Sequence, residues 1–545
     1  MTGFSSAGAD RAVACFNGWH EPDGPAAGLA LIGADGRMVC HWRGRQRADG
    51  PMAGPDTLFF VSSVAKTVTA LLIHRLARAG HLSLSQDLRA LLPGLRLPVR
   101  VPLAALLSMT SGLLDGPTVR LLTGHDAGPP DGAGWRAVLD AGIVPVDPVG
   151  GRFLYTHLNY VLAVLAAEAA TGRSRQCLLA EEIARPLTAP GLRLVDDRAA
   201  ADSAERAGMA RGHAPFGAGL AEVRSWGVFG PSGLAGRLAD LARLAWALRD
   251  NGPAAALSWP TRLTDGTTLT YGQGLRLDRL HGLTVRYHGG MQPGSESVIA
   301  WLPDYGLGLV YTVARSGIAI RPRLARLIER ICDLPSADGA PTHGRTGPVS
   351  GSTTAGGAGR YMVPQTGETL TLGASGAGGL DGDLLGLPVA LHPVAGGAYE
   401  SGFGASAPTR LAPDRDGSFT LHWGGRRSRL VRLPDQRPPA PAVDPAPYVG
   451  RYSHAATGAV HTVSADDDGD LTITYGPATA GQPPTPSPTL TPLAADYPGL
   501  FQLRTADGQS HALAFDPPGP DGRSAVFRHT SYGATGLVFR RCGRT

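Results

Sequence analysis

The spacing of apolar residues separates a first part of the chain, which mixes helical and strand-like patterns, from a second part made of short strand-like runs. Up to about residue 335, apolar residues recur at three-and-four spacing in VAKTVTALLIHRLARAG, LNYVLAVLAAEAATG and LADLARLAWALRDNG, and each segment ends at a glycine. This pattern predicts three amphipathic helices. AGLALIGADGRMVCHWRG and SVIAWLPDYGLGLVYTVA predict strand hairpins. Helices interspersed with antiparallel hairpins predict an α/β (α+β) domain around an antiparallel sheet.

Two linker-like segments interrupt the second part. GAPTHGRTGPVSGSTTAGGAGR is rich in Gly, Ser, Thr and Pro, and PDQRPPAPAVDPAPY is rich in Pro. Each is followed by Gly-Arg-Tyr, at residues 359–361 and 450–452, and then by short strand-like runs with tight turns. A three-residue match arises easily by chance in this composition, but the shared position after a linker favours a weak internal repeat of two small antiparallel β-barrels.

These patterns predict five segments. They are a mixed domain (1–335), a linker (336–358), a first β-barrel (359–433), a Pro-rich linker (434–447) and a second β-barrel (448–545).

Composition and charge exclude several classes of function. The 545 residues are 43% hydrophobic and 17% charged with a net charge of +5, and no arginine run would follow a phosphate backbone, so no nucleic-acid partner is expected. The five cysteines lack disulfide or metal-ligand spacing and are expected to be free thiols in a reducing compartment. Neither a secretory signal nor an apolar run of about 18 residues is present, which predicts a cytoplasmic protein without a membrane partner. We expect neither a cofactor nor a metal.

Lys66 is the only lysine of the chain, and the other 49 of its 50 basic residues are arginine. Lysine can lose its proton when it is desolvated, whereas arginine stays charged. Ser63 lies three residues earlier, on the same face if the segment is helical. A neutral amine there can take the proton of Ser63 and make the hydroxyl a nucleophile. A surface lysine with a serine nearby by chance is the alternative, because Ser-x-x-Lys alone is a weak motif.

The surrounding segment, FFVSSVAKTVTALLIHRLARAGHLSLSQDL, resembles the nucleophile helix of serine β-lactamases and penicillin-binding proteins. Four later segments resemble further motifs of that family in the same order: LLSMTSGLLDG, GGRFLYTHLNYVLAVLAAEAATG, GPSGLAGRLADLARLAWAL and VRYHGGMQPGSESVIAWLPDYGLGLVYTVA. With His-Gly-Gly as its third motif and two barrels after the catalytic domain, the chain is most similar to the D-aminopeptidase branch. This resemblance implies a β-lactamase-like catalytic domain with a central antiparallel sheet and a helical subdomain, followed by two lipocalin-like β-barrels.

The resemblance also implies roles for the motif residues. Ser63 would attack a carbonyl and form an acyl-enzyme. Tyr155, at the position of the second-motif tyrosine, would act as a phenolate base or shuttle protons with Lys66, and then serve as the acid for the leaving amine. Core packing ahead of a helix is the alternative for this tyrosine.

The third motif supplies the remaining predicted site residues. The backbone N–H groups of Ser63 and Met291 would stabilise the oxyanion. Gly289 and Gly290 would permit close approach of the backbone to the substrate. His288 would bind substrate or hold the proton of the tyrosine in place, although a lone histidine is often structural.

His157 departs from the family pattern, which has asparagine two residues after the tyrosine. A neutral imidazole cannot both donate and accept in the geometry of an amide. Asn159 is nearby at the wrong spacing. The substitution makes a titratable group available near the site and leaves an esterase, a thioester-using acyltransferase or a weakened enzyme open.

Three functions are therefore compared. The first is a metal-free serine hydrolase acting on a small peptide, amide or ester that contains a D-residue. The second is an acyltransferase or cyclase of a non-ribosomal peptide pathway that uses the same acyl-enzyme, and the third is a degenerate binding scaffold. A homodimer is possible. The D-aminopeptidase resemblance further predicts that the Pro-rich loop 476–493 of the second barrel reaches the cleft, where an idle exposed loop is the alternative.

Overall fold

A computed structural model of the chain describes residues 3–116, 135, 138–139, 143–216, 219–250, 252, 254–335, 356–375, 378–384, 387–401, 409–434, 443–475, 490–493, 498–504, 510–531 and 534–542. The predicted linkers fall largely outside these residues, as does most of the loop 476–493. The exact domain boundaries therefore stay a prediction.

An antiparallel sheet forms the centre of the first domain. Its order is β2-β1-β11-β10-β9-β8, and two smaller sheets, β3-β7-β4 and β5-β6, lie beside it. The predicted hairpins around Gly36 and Gly306 are β1–β2 and β10–β11. The strands are β1 (Ala27–Gly33), β2 (Met38–Arg43), β3 (Leu58–Phe60), β4 (Arg193–Leu194), β5 (Gly212–Phe216), β6 (Gly219–Val223), β7 (Leu234–Arg237), β8 (Arg276–Leu280), β9 (Leu283–Gln292), β10 (Ser295–Leu302) and β11 (Leu307–Val313).

Helices cover both faces of this sheet and form a separate helical layer. The described helices are α1 (Ser6–Asn17), α2 (Ala65–Arg78), α3 (Leu88–Leu91), α4 (Leu103–Leu107), α5 (His157–Thr171), α6 (Arg175–Leu178), α7 (Arg198–Arg206), α8 (Leu238–Ala247) and α9 (Ile320–Cys332). The three helices expected from apolar spacing are α2, α5 and α8. α5 ends at Gly172, whose φ of +67° is the left-handed C-cap conformation that favours glycine.

The central strands are buried on both faces and are therefore mostly apolar, with the exception of the Ser-Glu-Ser run that begins β10. Every residue of β1, β10 and β11 is buried. On one face, α1 and α9 pack Phe16, Leu324 and Ile328 against the sheet. On the other face lies the larger core that contains α8, α2 and α5. This layering places the start of α2 between the sheet and the helical layer.

Two β-barrels follow the first domain, as predicted. The first is closed by eight strands, β12 (Gly359–Met362), β13 (Thr369–Ala374), β14 (Leu380–Leu384), β15 (Leu387–Pro393), β16 (Tyr399–Ser401), β17 (Thr409–Pro413), β18 (Phe419–Trp423) and β19 (Arg426–Leu433). The second runs β22-β21-β20-β27-β26-β25-β24-β23 and is nearly closed. Its strands are β20 (Gly450–Ser453), β21 (Val460–Ala465), β22 (Leu471–Tyr475), β23 (Thr491–Pro492), β24 (Leu500–Arg504), β25 (Ser510–Phe515), β26 (Val526–Ser531) and β27 (Ala534–Arg541).

The repeated Gly-Arg-Tyr tripeptide occupies the same place in both barrels. It begins β12 in the first and β20 in the second. In both, the tyrosine hydroxyl donates to the carbonyl four residues earlier, from Tyr361 to Gly357 and from Tyr452 to Tyr448. Each tyrosine also pairs with an arginine of the last strand of its barrel. The shared hydrogen bond and register support the repeat inferred from sequence.

The end of the predicted loop 476–493 is a strand edge. Leu490 donates from its backbone N–H to the Leu471 carbonyl at 2.7 Å, and Thr491–Pro492 forms β23. Proline at an edge fits its missing backbone N–H. Residues 476–489 lie outside the described residues, so the prediction that this loop reaches the cleft stays a prediction.

Candidate active site

Ser63 lies in a 3₁₀ turn, Ser62–Val64, that runs directly into α2. The turn is preceded by β3 and packs against β9, so the helix start is held at the edge of the central sheet. Ser62 has a φ of +46°, an uncommon conformation for a non-glycine residue. Its hydroxyl donates to the Met291 carbonyl at 3.2 Å. This bond ties the Ser62–Val64 turn to the strand that carries the third motif.

The Lys66 amine is within hydrogen-bonding distance of Ser63. Its Nζ lies 3.0 Å from Ser63 Oγ and 2.8 Å from the Pro231 carbonyl oxygen. The side chain is fully buried. The pKa of Lys66 is lowered to about 7, mainly by burial; the charge of Asp115 opposes this shift and the charge of Arg276 adds to it. A substantial fraction of the amine is therefore neutral near pH 7 and can accept the Ser63 proton.

Tyr155 contacts both members of this pair. The Lys66 ammonium lies 4.8 Å from the centroid of the Tyr155 ring, and the phenol shares a hydrogen bond with Ser63. Burial raises the pKa of Tyr155, and the hydrogen bond with Ser63 opposes this only partly. The phenol therefore keeps its proton near neutral pH. Its position is fixed by Thr156, which follows it and caps α5 by accepting from the Leu158 N–H.

Asp115 is a buried carboxylate that sequence reasoning missed. It accepts from the His157 backbone N–H at 2.7 Å and from Thr156 Oγ1 at 2.8 Å. Burial alone would raise the pKa of Asp115, but the hydrogen bonds and charge of its neighbours lower it overall. The carboxylate is therefore charged at neutral pH, where it stabilises the first turn of α5.

His157 is half-exposed and faces this carboxylate. Its Nδ1 lies 3.8 Å from Asp115 Oδ1, which is too long for a hydrogen bond, and its ring centroid lies 5.9 Å from that of Tyr155. Asn159 is fully buried and accepts from Ser111 Oγ at 2.6 Å. The carbonyl of Pro231 contacts the Lys66 amine directly.

His288 is buried at 1% exposure, which leaves its ring little surface for direct contact with a substrate. Its Nδ1 lies 2.7 Å from the Gly289 carbonyl oxygen and must donate, so its Nε2 accepts from the Tyr271 hydroxyl at 3.2 Å. Burial lowers the pKa of His288 well below its usual range, and the Lys66 charge adds to this. The imidazole is therefore neutral, with its ring centroid 6.4 Å from that of Tyr155.

The two third-motif glycines differ in the space around them. A Cβ on Gly290 would lie 2.0 Å from the Val61 carbonyl oxygen, whereas a Cβ on Gly289 would meet nothing closer than 3.6 Å. Of the two, only Gly290 is therefore required by the close packing of Val61, which precedes the Ser62–Val64 turn, on β9. Met291 follows with a side chain that is 72% exposed. Its pairing is with β10 alone, because the β8–β9 pairing ends at Tyr287.

The structure thus brings Ser63, Lys66 and Tyr155 into direct contact, with His288 and the third-motif strand beside them. The groups absent from the sequence prediction are Asp115, Pro231 and Tyr271. Two of them lie within segments that resemble family motifs. Asp115 is the second-last residue of LLSMTSGLLDG, and Pro231 is the second residue of GPSGLAGRLADLARLAWAL. Their contacts with the site depend on the tertiary fold.

Two structural features are absent from the described residues. None of their His, Cys, Asp and Glu side chains form a group of three that could hold a metal ion. In the same part of the chain, no helix combines the length and apolar character needed to cross a membrane.

Comparison with solved structures gives several matches that cover 60% to 78% of this chain. SurE matches with a TM-score of 0.52 at 22% identity, covering 78% of this chain and 99% of its own. The octameric penicillin-binding protein homologue from Pyrococcus abyssi matches with a TM-score of 0.50 at 17% identity, covering 78% and 98%. The D-amino acid amidase from Ochrobactrum anthropi SV3 complexed with D-phenylalanine matches with a TM-score of 0.51 at 18% identity, covering 60% and 99%. At these identities the matches show a shared fold.

Sequence comparison gives the family. Comparison with curated proteins yields no significant match. A family model described as Beta-lactamase matches residues 14–332, more than half of the chain. The chain therefore belongs to the β-lactamase family, whose members are serine hydrolases.

Proposed function

We propose that this protein is a serine hydrolase that forms an acyl-enzyme on Ser63 and acts on a small amide, peptide or ester carrying a D-residue. The observation that carries the proposal is the contact between a buried Lys66 amine and Ser63 Oγ, 3.0 Å apart. The D-residue is proposed because the fold is shared with a D-amino acid amidase and because the motifs resemble the D-aminopeptidase branch.

Lys66 and Tyr155 divide the proton transfers between them. The neutral Lys66 amine accepts the Ser63 proton as Oγ attacks the carbonyl carbon. The neutral Tyr155 phenol, which touches both residues, donates a proton to the leaving group and is reprotonated from Lys66. The raised pKa of Tyr155 and the lowered pKa of Lys66 favour this assignment over a resting phenolate.

The oxyanion would be stabilised by backbone N–H groups of the Ser62–Val64 turn and of the adjacent strand β9. The backbone N–H groups of Ser63 and Met291 are the proposed donors. The Ser62–Met291 hydrogen bond and the close contact at Gly290 support this, since both hold the two donors in a fixed relation. Water would then release the acyl group, with Lys66 as its base.

A mass measurement tests the proposal. The intact mass of the native protein should rise by one adduct after treatment with a fluorophosphonate probe, and Ser63→Ala should stay unlabelled. Incubation with a D-acyl 4-nitrophenyl ester, with and without an added amine, then distinguishes free acid from amide product. Dominant amide would favour the acyltransferase alternative. Absence of labelling and of any turnover in native protein would leave only the binding scaffold.

A further inference from the structure

A turn of the first barrel reaches the segment that carries Tyr155. This docking turn, Trp423–Arg426, joins β18 to β19 through two glycines that both have positive φ. The Phe153 N–H donates to the Gly424 carbonyl at 2.9 Å. A backbone hydrogen bond from the barrel therefore ends two residues before Tyr155.

Buried charges surround this contact. The Arg152 guanidinium is 5% exposed and lies 5.8 Å from the centroid of the Trp423 ring and 3.6 Å from Asp147. Arg426, at the end of the docking turn, lies 3.4 Å from Glu368 of its own barrel, which is 2% exposed. Burial lowers the pKa of Arg152, and the charges of Asp147 and Glu368 oppose it. Asp147 of the first domain and Glu368 of the barrel thus both offset the desolvation of one arginine at this contact.

The same segment leads straight into the site. The Phe153 ring packs against Tyr271 with centroids 5.3 Å apart, and Tyr271 donates to the neutral His288. Leu154 donates to the Met109 carbonyl at 2.8 Å. The strip before Tyr155 is thereby held by the helical layer on one side and by the barrel on the other.

We propose that the docking turn is a positioning element for Tyr155, so that the first barrel sets how well the phenol delivers a proton to the leaving group. This inference rests on the proposed function. In acylation, Ser63 Oγ forms a bond to the acyl carbon and the bond to the leaving oxygen breaks. The Ser63 proton reaches that oxygen through Lys66 and Tyr155.

A matched pair of glycine variants tests the inference. A Cβ on Gly425 would lie 2.1 Å from Cδ1 of the buried Leu263, so the larger side chain of Gly425→Leu should push the docking turn away from the first domain. Gly417→Leu, in the turn at the other end of β18, is the control. Its φ of +81° matches the +89° of Gly425, but nothing lies within 4 Å of its Cβ.

The measured quantity is kcat/KM, which reports acylation, for 4-nitrophenyl, 4-chlorophenyl and phenyl acetate. These esters share one acyl group and have progressively poorer leaving groups. Gly425→Leu should slow phenyl acetate by roughly tenfold or more and 4-nitrophenyl acetate by less than about threefold, because only the poorer leaving groups need the acid. Gly417→Leu should have the same kcat/KM as the native protein with all three esters.

Equal slowing of all three esters by Gly425→Leu, or a profile like that of the native protein, would overturn the inference. Thermal unfolding and fluorophosphonate labelling of Ser63 verify that each variant is folded. If Gly425→Leu does not fold, Trp423→Ala is compared with Trp423→Phe, which should restore the native leaving-group dependence. Failure of the native protein itself to be labelled or to cleave any ester would instead refute the proposed function.

Discussion

Replacing Lys66 by arginine should abolish turnover almost as fully as Ser63→Ala. The pKa of Lys66 falls from 10.5 to about 7 in the folded protein. At pH 7 this raises the neutral fraction of the amine from about 0.0003 to about one half, a gain of roughly a thousandfold in available base. Arginine stays protonated and would place a larger cation in a space bounded by Ser63 Oγ at 3.0 Å and the Pro231 carbonyl at 2.8 Å. The expected loss in kcat is therefore at least about a thousandfold.

The assay is hydrolysis of 4-nitrophenyl acetate at pH 7, corrected for the uncatalysed rate. Arg75→Lys, on the same helix but partly exposed beside Glu182, is the control and should keep native activity because exchange of the two cations is harmless there. Circular dichroism establishes that Lys66→Arg is folded. Retention of more than about a tenth of native turnover by Lys66→Arg would refute the reasoning, since no neutral base would remain at that position.

The remaining predictions concern pH and packing. The profile of kcat/KM against pH should have an acidic limb near pH 7. Asp115→Asn should move this limb to lower pH, because the carboxylate raises the pKa of Lys66. If the limb does not move, it reports the titration of another group. Gly290→Ala should lower kcat by roughly a hundredfold or prevent folding, whereas Gly289→Ala should stay close to native in activity and melting temperature. Similar effects of the two substitutions would contradict the close packing of Gly290 against Val61. Burial lowers the pKa of His529 in the second barrel far below 6.5, so the unfolded state binds the extra proton. His529 alone should contribute a fall of about 1.4 kcal/mol per pH unit to the free energy of unfolding below about pH 6.5, and denaturant titrations should show a shallower total fall for His529→Gln.

Local patterns predicted much of the first domain because its elements are strongly periodic. α2, α5 and α8 follow from apolar spacing, and two hairpins follow from their turns. The Ser63–Lys66 contact could also be predicted, since both residues lie on one helical turn. By contrast, Asp115 acts on the lysine through its charge and Pro231 through its carbonyl oxygen. Both are brought near the lysine only by the packing of distant segments. A single sequence offers no local signal for such contacts.

The barrels were predictable in number and place but not in their contacts. Gly-Arg-Tyr marks the first strand of each barrel because in both the tyrosine hydroxyl donates to the carbonyl four residues earlier. The hydrogen bond between Gly424 and Phe153 has no such signature, because a Gly-Gly turn has the same sequence whether the turn is exposed or packed against another domain. The sequence therefore predicts a role for the Pro-rich loop of the second barrel and gives no sign of the contact made by the turn of the first.

A covalent intermediate on Ser63 itself can be tested by mapping the acyl group. Native protein turning over a D-acyl 4-nitrophenyl ester is quenched in acid within milliseconds to seconds, digested, and fragmented in the mass spectrometer. One acyl group is expected on the hydroxyl of Ser63, formed and lost at rates consistent with turnover and missing in Ser63→Ala. Turnover without any adduct, or an adduct on the neighbouring Ser62 that persists in Ser63→Ala, would contradict it.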